Sequence, residues 1–409
     1  VAKGVWAREI SVWRRDFSTV AVLGGKDGFR WPRGGEAVVM NYDILPDFDL
    51  VPESVFDKLL RGTVIIGDEA HLLKSFRTQR FQRINAVAEK IRAKGGKTWL
   101  ITGTPLMNRP PELWSILQAA GLHNQTFSSW SRFREMFGGY EGAYGGMVWD
   151  NTPSPEAVEC LKKTTLRRRR EDVLQDLPGK TYNNVPVDID AKTTKQLTMI
   201  EEAITKNGIS LEQAMRLART DGSVFEQLSR AREMLAVAKI PAMLELVENY
   251  EAQETPLVVF SAHTSPINAL GKRPGWVTIT GETSHANRTK YVQQFQKGEL
   301  KGIAGSIGAM GVAITLTYGA HALFVDLDWS PTNNEQAEDR LCRLGQVSAV
   351  TITRLVANAK IDKRLTAILA RKQRLIDSSV NASALAPNEA VSELGASLNA
   401  TLNELDDSF

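Results

Sequence analysis

The stretch GTVIIGDEAH, from Gly62 to His71, decides the fold of this chain of 409 residues. Its β-branched apolar run predicts a buried strand that ends in two acids. Ligands of open α/β sheets bind outside the carboxyl ends of the strands, so Asp68 and Glu69 stand where a nucleotide would lie. One such carboxylate can hold Mg²⁺, usually through water, while its neighbour orients the attacking water in phosphate hydrolysis. A strand that ends in a solvated acidic turn would show the same letters, so a second signal is needed.

That second signal is LITGTP, from Leu100 to Pro105, another apolar run that ends in small and hydroxyl-bearing residues. A helical pattern from Thr78 to Lys94 lies between the two runs. Two strands joined through one helix predict a βαβ unit, which is the building block of a parallel sheet.

The composition indicates a globular protein of two to three domains, with 43% hydrophobic and 24% charged residues. The two cysteines, Cys160 and Cys342, are far apart and form no CxxC pair, which argues against a disulfide framework or a zinc site and favours a reducing compartment. The formal charge is +3, but residues 375–409 hold six acids and no lysine or arginine, which leaves +9 for residues 1–374. A basic body with an acidic tail is compatible with a polyanionic partner.

Residues 302–325 contain no charged side chain over 24 positions, as a membrane span would. Five glycines in this stretch argue against a membrane helix. We divide it instead into a strand (Gly302 to Ser306), a glycine turn with a short helix, and a second strand (Ala322 to Leu327). Glycines such as Gly311 would let the backbone approach a ligand closely.

The run NEQAEDRLCRLGQ, from Asn334 to Gln346, carries a pattern of a different kind. Helical spacing would place Gln336, Arg340 and Arg343 on one face. That face could present two guanidinium groups to a γ-phosphate, as an arginine finger does. The alternative is a charged surface helix with internal Glu–Arg pairs.

These runs together resemble motifs II, III, V and VI of the superfamily-two helicases. More narrowly, DEAHLLKS and TGTPLMNRPPELWSIL are similar to the Swi/Snf-type DNA translocases. Lys74 and Asn108 fit the pattern of that group, whereas Ser75 stands where asparagine is usual. QAEDRLCRLGQ is nearly a complete motif VI, with Cys342 in place of a frequent histidine and Leu344 in place of an isoleucine. The finer features look nearest to the annealing-helicase branch and its bacterial or viral relatives.

The resemblance implies an α/β fold of two RecA-like parallel-sheet lobes with helical insertions. The expected domains are a first lobe at 1–105, a helical protrusion with the closing segment of that lobe at 106–176, a second lobe at 177–377 with a helical insertion at about 191–252, and an acidic tail at 378–409 that we expect to be disordered.

The resemblance also assigns roles to residues that match its motifs. The expected catalytic residues are Asp68, Glu69, Arg340 and Arg343, with Asp68 as the Mg²⁺ ligand. The expected ATP-binding residues are Asp68, Glu69, His71, Gly311, Gln336, Arg340 and Arg343. The expected DNA-binding residues are Trp6, Asn41, Tyr42, Lys74, Thr102, Ser261, His263 and Trp329. In motif V the residues Ala313, Ile314 and Thr315 depart from the usual pattern.

A hydrolase of this kind needs a phosphate loop of the GxxxxGK[ST] type, which in the family precedes the first segment of this chain. The letters GGKT at Gly95 to Thr98 follow the DEAH run and lead into a strand, so we interpret them as a turn between a helix and a strand. We therefore expect the chain to be truncated at its amino end and inactive alone.

The predicted function is an ATP-dependent translocase or helicase-like remodeller of duplex DNA, branched duplexes included, that hydrolyses ATP with Mg²⁺ between its two lobes. Two alternatives stay open: a DNA-binding module that does not hydrolyse ATP, and an RNA helicase of the DEAH type. The expected location is the cytoplasm or nucleoid of a bacterial or virus-infected cell, or the nucleus of a eukaryote, and not the secreted fraction.

Overall fold

The structure is a computed structural model, and it describes residues 2–25, 27–48, 52–103, 110–141, 147–149, 153–166, 168, 176–205, 211, 213–214, 218, 221–311 and 314–381. The chain folds as two compact units, made chiefly of Ala2–Arg168 and Arg169–Gln373. We call them the first and second units. The predicted domain boundaries at residues 105, 176 and 377 stay predictions.

The first unit contains short strands and helices. Its strands are β1 (Thr19–Val22), β2 (Glu36–Val39), β3 (Val64–Gly67), β4 (Lys97–Leu100), β5 (Tyr140–Glu141) and β6 (Met147–Val148). Its helices are α1 (Ala2–Trp13), α2 (Ser54–Asp57), α3 (Gln79–Ala93), α4 (Pro110–Ala120), α5 (His123–Phe127), α6 (Trp130–Met136) and α7 (Pro155–Thr164). The strands β1 and β2 pair in parallel, and so do β3 and β4.

The predicted βαβ unit is confirmed, because α3 connects the parallel strands β3 and β4. The Thr78 hydroxyl accepts a hydrogen bond from the Phe81 backbone N–H and so caps the helix at its start. Gly95, with a φ of 75°, ends the helix in the left-handed conformation that glycine adopts without strain. Lys97 then begins β4, so the GGKT letters form a turn between a helix and a strand, as predicted.

The prediction that β3 is buried is wrong for one face of the strand. Val64 and Ile66 are 45% and 44% exposed, and Trp99 on β4 is 57% exposed. A parallel strand is buried only where both faces of its sheet are covered. Among the described residues, only the face that carries Ile65 and Leu100 packs against the core around α3.

The second unit is built on a six-stranded sheet. Its strands are β7 (Lys180–Val187), β8 (Leu257–Ser261), β9 (Trp276–Ile279), β10 (Gly302–Ser306), β11 (His321–Phe324) and β12 (Val350–Ala357). They lie in the order β7-β12-β11-β8-β10-β9, and every neighbouring pair is parallel.

Helices cover both faces of this sheet. They are α8 (Ala191–Thr205), α9 (Gly222–Ala238), α10 (Ile240–Ala252), α11 (Thr264–Leu270), α12 (His285–Gln296), α13 (Ile307–Met310), α14 (Pro331–Glu338) and α15 (Lys360–Asn381). Alternate residues of β8 enter different cores: Phe260 lies in one apolar cluster, and Leu257 and Val259 lie in another. The charge-free stretch is thus a pair of buried strands, and its first strand spans Gly302–Ser306 as predicted.

The α/β fold class is confirmed by these parallel sheets and their covering helices. In the described part of the chain, no helix is both long and apolar enough to cross a membrane. Some predicted features lie outside the described residues: Pro105 and Asn108 of the TGTPLMN run, Ala313, and the tail from 382 onward. The helix α15 continues to Asn381, past the start that we predicted for the disordered tail.

Candidate functional site

The two acids of GTVIIGDEAH directly follow the carboxyl end of β3, as predicted. We call residues 68–71 the carboxylate turn. Asp68 is half-buried, and both of its carboxylate oxygens accept hydrogen bonds. The Trp6 indole N–H donates to Oδ2 over 2.7 Å, and the Glu69 backbone N–H donates to Oδ1 over 2.9 Å. The Tyr42 hydroxyl donates to the Asp68 carbonyl oxygen over 2.7 Å.

Glu69 adopts a left-handed backbone conformation, with φ 52° and ψ 47°. This conformation costs an L-residue roughly 1–2 kcal/mol and is most frequent where function requires it. Its Oε2 lies 3.2 Å from the Nδ1 of His71, which lies 3.4 Å from the Thr102 hydroxyl. Thr102 follows β4, so side chains from the ends of both strands meet in the carboxylate turn.

The predicted site residues of the first unit therefore divide into two groups. Trp6, Tyr42, Asp68, Glu69, His71 and Thr102 are in one connected set of contacts. Asn41 and Lys74 are exposed beside it. Burial, with the Asp68 charge as the next cause, raises the pKa of Tyr42 above its usual range. Its hydroxyl consequently stays protonated and remains a hydrogen-bond donor to the carboxylate turn.

The donor set fits Mg²⁺ coordination through a single carboxylate. Each Asp68 oxygen has a second lone-pair site besides the hydrogen bond it accepts. Among the residues that the structure describes, no group of three or more His, Cys, Asp or Glu side chains could hold a metal ion by itself. Mg²⁺ commonly binds through one or two carboxylates, waters and substrate phosphate oxygens, and Asp68 can supply the carboxylate.

In the second unit, the prediction that Gln336, Arg340 and Arg343 share a helix face is wrong. The helix α14 ends at Glu338. The backbone N–H of Arg340 then donates to the Ala337 carbonyl oxygen, three residues earlier. A bond over three residues instead of four is typical of the end of a helix. The Arg340 carbonyl oxygen accepts from the backbone N–H of Leu316 over 2.8 Å, a residue outside this helix.

We call residues 339–346, which follow this helix, the arginine turn. The Arg340 Nε–H donates to the Gln336 carbonyl oxygen over 2.9 Å. Arg343 is exposed and donates from NH1 to the Ile314 carbonyl oxygen over 3.0 Å. Gln336 and Arg340 are half-buried, and the hydrogen bond between them keeps these two residues together.

Gly311 directly follows α13 and caps its carboxyl end. A Cβ atom at this position would lie 2.7 Å from the Ile307 carbonyl oxygen, so only glycine fits without a shift of the backbone. The loop that carries it begins at the carboxyl end of β10, the edge of the sheet where ligands bind.

The predicted DNA contact of Ser261 stays a prediction, and its side chain is fully buried. Its hydroxyl donates to Asp326, an acid that follows β11, and His263 Nδ1 lies 2.5 Å from the other oxygen of the same carboxylate. Ser261 and Asp326 therefore hold the His263 loop in place. Trp329 is half-buried, with the Arg232 guanidinium 4.3 Å from its ring centroid.

Sequence reasoning missed two acids of the second unit. Asp326 is 8% exposed and organises the His263 loop; it lies two residues past the end of β11, whereas the predicted strand continued to Leu327. Glu338 is 2% exposed and lies inside the QAEDR run, but its partners are distant in sequence and leave no local pattern.

The chain matches two protein families in succession. The SNF2-related domain matches residues 2–237, and the helicase conserved C-terminal domain matches residues 238–345. The first match therefore contains the carboxylate turn, and the second contains all but the last residue of the arginine turn.

Curated relatives match nearly the whole chain. It is 28% identical over 396 residues to the DNA annealing helicase and endonuclease ZRANB3 of Homo sapiens, which corresponds to 92% of this chain and 35% of that protein. It is 28% identical over 388 residues to SWI/SNF-related matrix-associated actin-dependent regulator of chromatin subfamily A-like protein 1 of Xenopus tropicalis, with 91% of this chain and 38% of that protein covered. The chain thus spans little more than a third of the length of these relatives.

Among solved structures, the chain resembles the Sulfolobus solfataricus SWI2/SNF2 ATPase core in complex with dsDNA, with 20% identity and a TM-score of 0.40. That match covers 95% of this chain and 83% of the other.

Proposed function

The chain belongs to the SNF2-related domain family, and from that premise we propose that it is part of the ATP-hydrolysing core of a DNA translocase. The observation that carries the proposal is the order of the two family matches, together with an acid pair and an arginine pair in their respective motifs. The names of the relatives, a DNA annealing helicase and an SNF-related regulator of chromatin, support DNA as the partner.

In the proposed mechanism, Asp68 would hold Mg²⁺ through water, and Glu69 orients the water that attacks the γ-phosphate. Bound Mg²⁺ would neutralise charge on the phosphate oxygens. The backbone of Glu69 is left-handed, so its side chain leaves the chain in a different direction from that of a helical residue. The Nδ1 atom of His71 lies 3.2 Å from the Glu69 carboxylate. Trp6 restricts the rotation of the Asp68 carboxylate through the hydrogen bond to Oδ2.

Arg340 and Arg343 supply positive charge to the γ-phosphate as it is transferred. Guanidinium groups suit this role because they stay charged and donate in a planar fork to phosphate oxygens. The exposed side chain of Arg343 is held by carbonyl and hydroxyl oxygens of Ile314 and Thr315, which carry no formal charge. A phosphate that binds Arg343 would therefore replace hydrogen bonds to two neutral oxygens, and neither of these bonds is an ion pair.

The proposed DNA contacts are those of exposed and half-buried polar residues. Asn41 and Lys74 are exposed beside the carboxylate turn, and a lysine there would contribute a salt-sensitive phosphate contact. The side chains of Trp6, Tyr42 and Thr102 contact the carboxylate turn. A DNA contact by any of them would therefore change the hydrogen bonds of that turn. His263 and Trp329 stay candidates in the second unit. The proposed substrate is duplex DNA, branched duplexes included.

The family match disfavours the RNA-helicase alternative, since the letters DEAH here occur within an SNF2-related domain. An ATPase assay distinguishes the proposed translocase from a DNA-binding module that does not hydrolyse ATP. We expect the full-length gene product to hydrolyse ATP with Mg²⁺, with strong stimulation by duplex DNA and little by duplex RNA.

The experiment compares wild type with Glu69→Gln and Arg343→Ala, and with Glu53→Gln as a control at an exposed acid. Displacement of a third strand from a DNA triplex then reports translocation along the duplex. DNA binding with no ATPase activity on any nucleic acid would overturn the proposal in favour of the hydrolysis-dead module. Stimulation by RNA alone would overturn it in favour of an RNA helicase.

A further inference from the structure

The carboxylate of Glu338, the last residue of α14, is buried and accepts hydrogen bonds from three side chains. Its side chain is 3% exposed. Oε2 accepts from Lys180 Nζ over 3.1 Å and from the Tyr182 hydroxyl over 2.9 Å. Oε1 accepts from Arg354 NH2 over 2.8 Å. A buried carboxylate is stable only when it is paired and hydrogen-bonded, and this one is both.

The donors come from two strands that are neighbours in the six-stranded sheet. Lys180 and Tyr182 are on β7, and Arg354 is on β12. The Arg354 guanidinium also lies 4.9 Å from the centroid of the Tyr182 ring. The end of α14 is thereby tied to two strands by side chains that themselves contact one another.

Asp339, the first residue of the arginine turn, is tied to the same lysine. Its Oδ1 lies 2.8 Å from Lys180 Nζ. Burial lowers the pKa of Lys180, but the charges of Asp339 and Glu338 outweigh it and raise that pKa above its usual range. Lys180 is therefore a cation that two consecutive acids hold at the start of the arginine turn.

The backbone of Glu338 also sets the course of the arginine turn. Its carbonyl oxygen accepts from Leu341 N–H over 3.1 Å and from Cys342 N–H over 3.3 Å. Leu341 and Cys342 are the two residues between Arg340 and Arg343. A rotation of Glu338 would consequently displace both arginines.

We propose that Glu338 is a positioning residue, which Lys180, Tyr182 and Arg354 fix to the sheet so that Arg340 and Arg343 are presented in one orientation. The inference rests on the proposed function, since it specifies how the arginines of that reaction are held. Charged groups act on a transition state without reorganisation only when their support is rigid. Glu338 supplies that support and does not itself contact the phosphate.

The test needs a variant that loses a comparable ion pair elsewhere on the same sheet. Glu251 on α10 accepts from Arg273 over 2.8 Å and from the Trp276 indole N–H over 2.7 Å, and its side chain is 17% exposed. Glu251→Gln is therefore the matched control for Glu338→Gln. Tyr182→Phe is a milder variant, because it removes one hydrogen bond and keeps the ring beneath Arg354.

The first readout is hydrogen–deuterium exchange of the full-length gene product without nucleotide. We expect Glu338→Gln to accelerate exchange in peptides that span residues 339–346 by about tenfold, because the anchor of the turn is weakened. Tyr182→Phe should act in the same direction by roughly twofold to threefold. Glu251→Gln should leave these peptides unchanged and accelerate exchange around residues 251–276.

The second readout is the DNA-stimulated ATPase rate. Glu338→Gln should lower kcat by about tenfold or more with little change in the KM for ATP or in DNA affinity, because only the transition-state contact is disturbed. Equal exchange and equal kcat in Glu338→Gln and Glu251→Gln would overturn the inference and make Glu338 a general stabiliser. Absence of wild-type ATPase activity would instead defeat the proposed function, and the exchange result would still decide whether Glu338 anchors the turn.

Discussion

The carboxylate turn and the arginine turn carry opposite charges and are held by opposite means. In the first unit, Asp68 is restrained by single hydrogen bonds from the neutral donors Trp6 and Tyr42, and the adjacent β3 leaves one face open. In the second unit, a buried carboxylate with two cationic partners anchors the arginine turn to a sheet covered on both faces. The acids are thus positioned by local backbone geometry and light contacts, whereas the arginines are positioned by a distant ionic cluster.

The largest expected effect tests the arginine turn. Arg343→Ala should lower the DNA-stimulated kcat by about 10³-fold, because an arginine that stabilises a transferring phosphoryl group contributes 10³–10⁵ in rate. ADP affinity should change little, and steady-state ATPase kinetics with a fluorescent ADP titration measure both. Arg273→Ala is the matched control, since Arg273 pairs with the acids Glu248 and Glu251 and belongs to neither turn. An Arg343→Ala enzyme as active as this control would remove Arg343 from the reaction.

The next effect tests the carboxylate turn. Glu69→Gln should lower kcat by about 10²-fold or more with ATP still bound, because the amide cannot accept a proton from the attacking water. Rapid-quench measurement of the chemical step separates this loss from a change in binding. Glu53→Gln, at an exposed acid that pairs with Lys90, should behave as wild type. Full activity of Glu69→Gln would contradict the assignment.

A smaller effect distinguishes two roles for Trp6. Trp6→Phe keeps an aromatic ring and removes the N–H that donates to Asp68. If Trp6 orients the carboxylate, the Mg²⁺ concentration for half-maximal activity should rise by about threefold to tenfold while the DNA concentration for half-maximal stimulation stays constant. A higher DNA concentration for half-maximal stimulation at an unchanged Mg²⁺ requirement would instead support the predicted contact of Trp6 with DNA. Trp13→Phe, at an indole that bonds to the exposed Glu9 on the same helix, is the control.

The backbone strain at Glu69 predicts that a variant which relieves it gains stability and loses ATPase activity. Glu69→Gly should stabilise the protein by up to about 1 kcal/mol, because glycine adopts a φ of 52° without the penalty that other residues incur. The same change should abolish ATP hydrolysis. Urea unfolding followed by tryptophan fluorescence measures the gain, and Glu69→Ala, which retains the strain, should show none. A loss of stability on Glu69→Gly would mean that side-chain contacts of Glu69 outweigh the strain.

The smallest effect is a pH dependence in the first unit. A hydrogen bond from Arg30, with a second from the Arg33 backbone, lowers the pKa of Glu36 from 4.5 to about 2. The folded state therefore gains stability above pH 4.5 and loses it as the pH falls toward 2. The stability deficit of Glu36→Gln should be constant near pH 7 and shrink between pH 4.5 and 3. Urea midpoints at these pH values test this, and a deficit that does not vary with pH would exclude the ion pair as its cause.

Several structural predictions from the sequence are confirmed because they depend on local pattern. The helix between Thr78 and Lys94, the strand at Gly302–Ser306 and the turn at GGKT follow from apolar spacing and from residues that cap or break helices. Predictions about what surrounds an element were less reliable. The chain after α14 and the buried Ser261 are bonded to Leu316 and Asp326, which approach from other parts of the chain.

The sequence by itself determined the parallel α/β architecture, the family and the position of Asp68 and Glu69 after a strand, because backbone periodicity and motif spacing are written in consecutive residues. The tertiary structure alone decided which groups hold those residues. Trp6 meets Asp68 across 62 positions, and Lys180 meets Glu338 across 158. Many acids and bases could have paired in this chain, and only the packing of the sheet and its helices selects which of them are buried together.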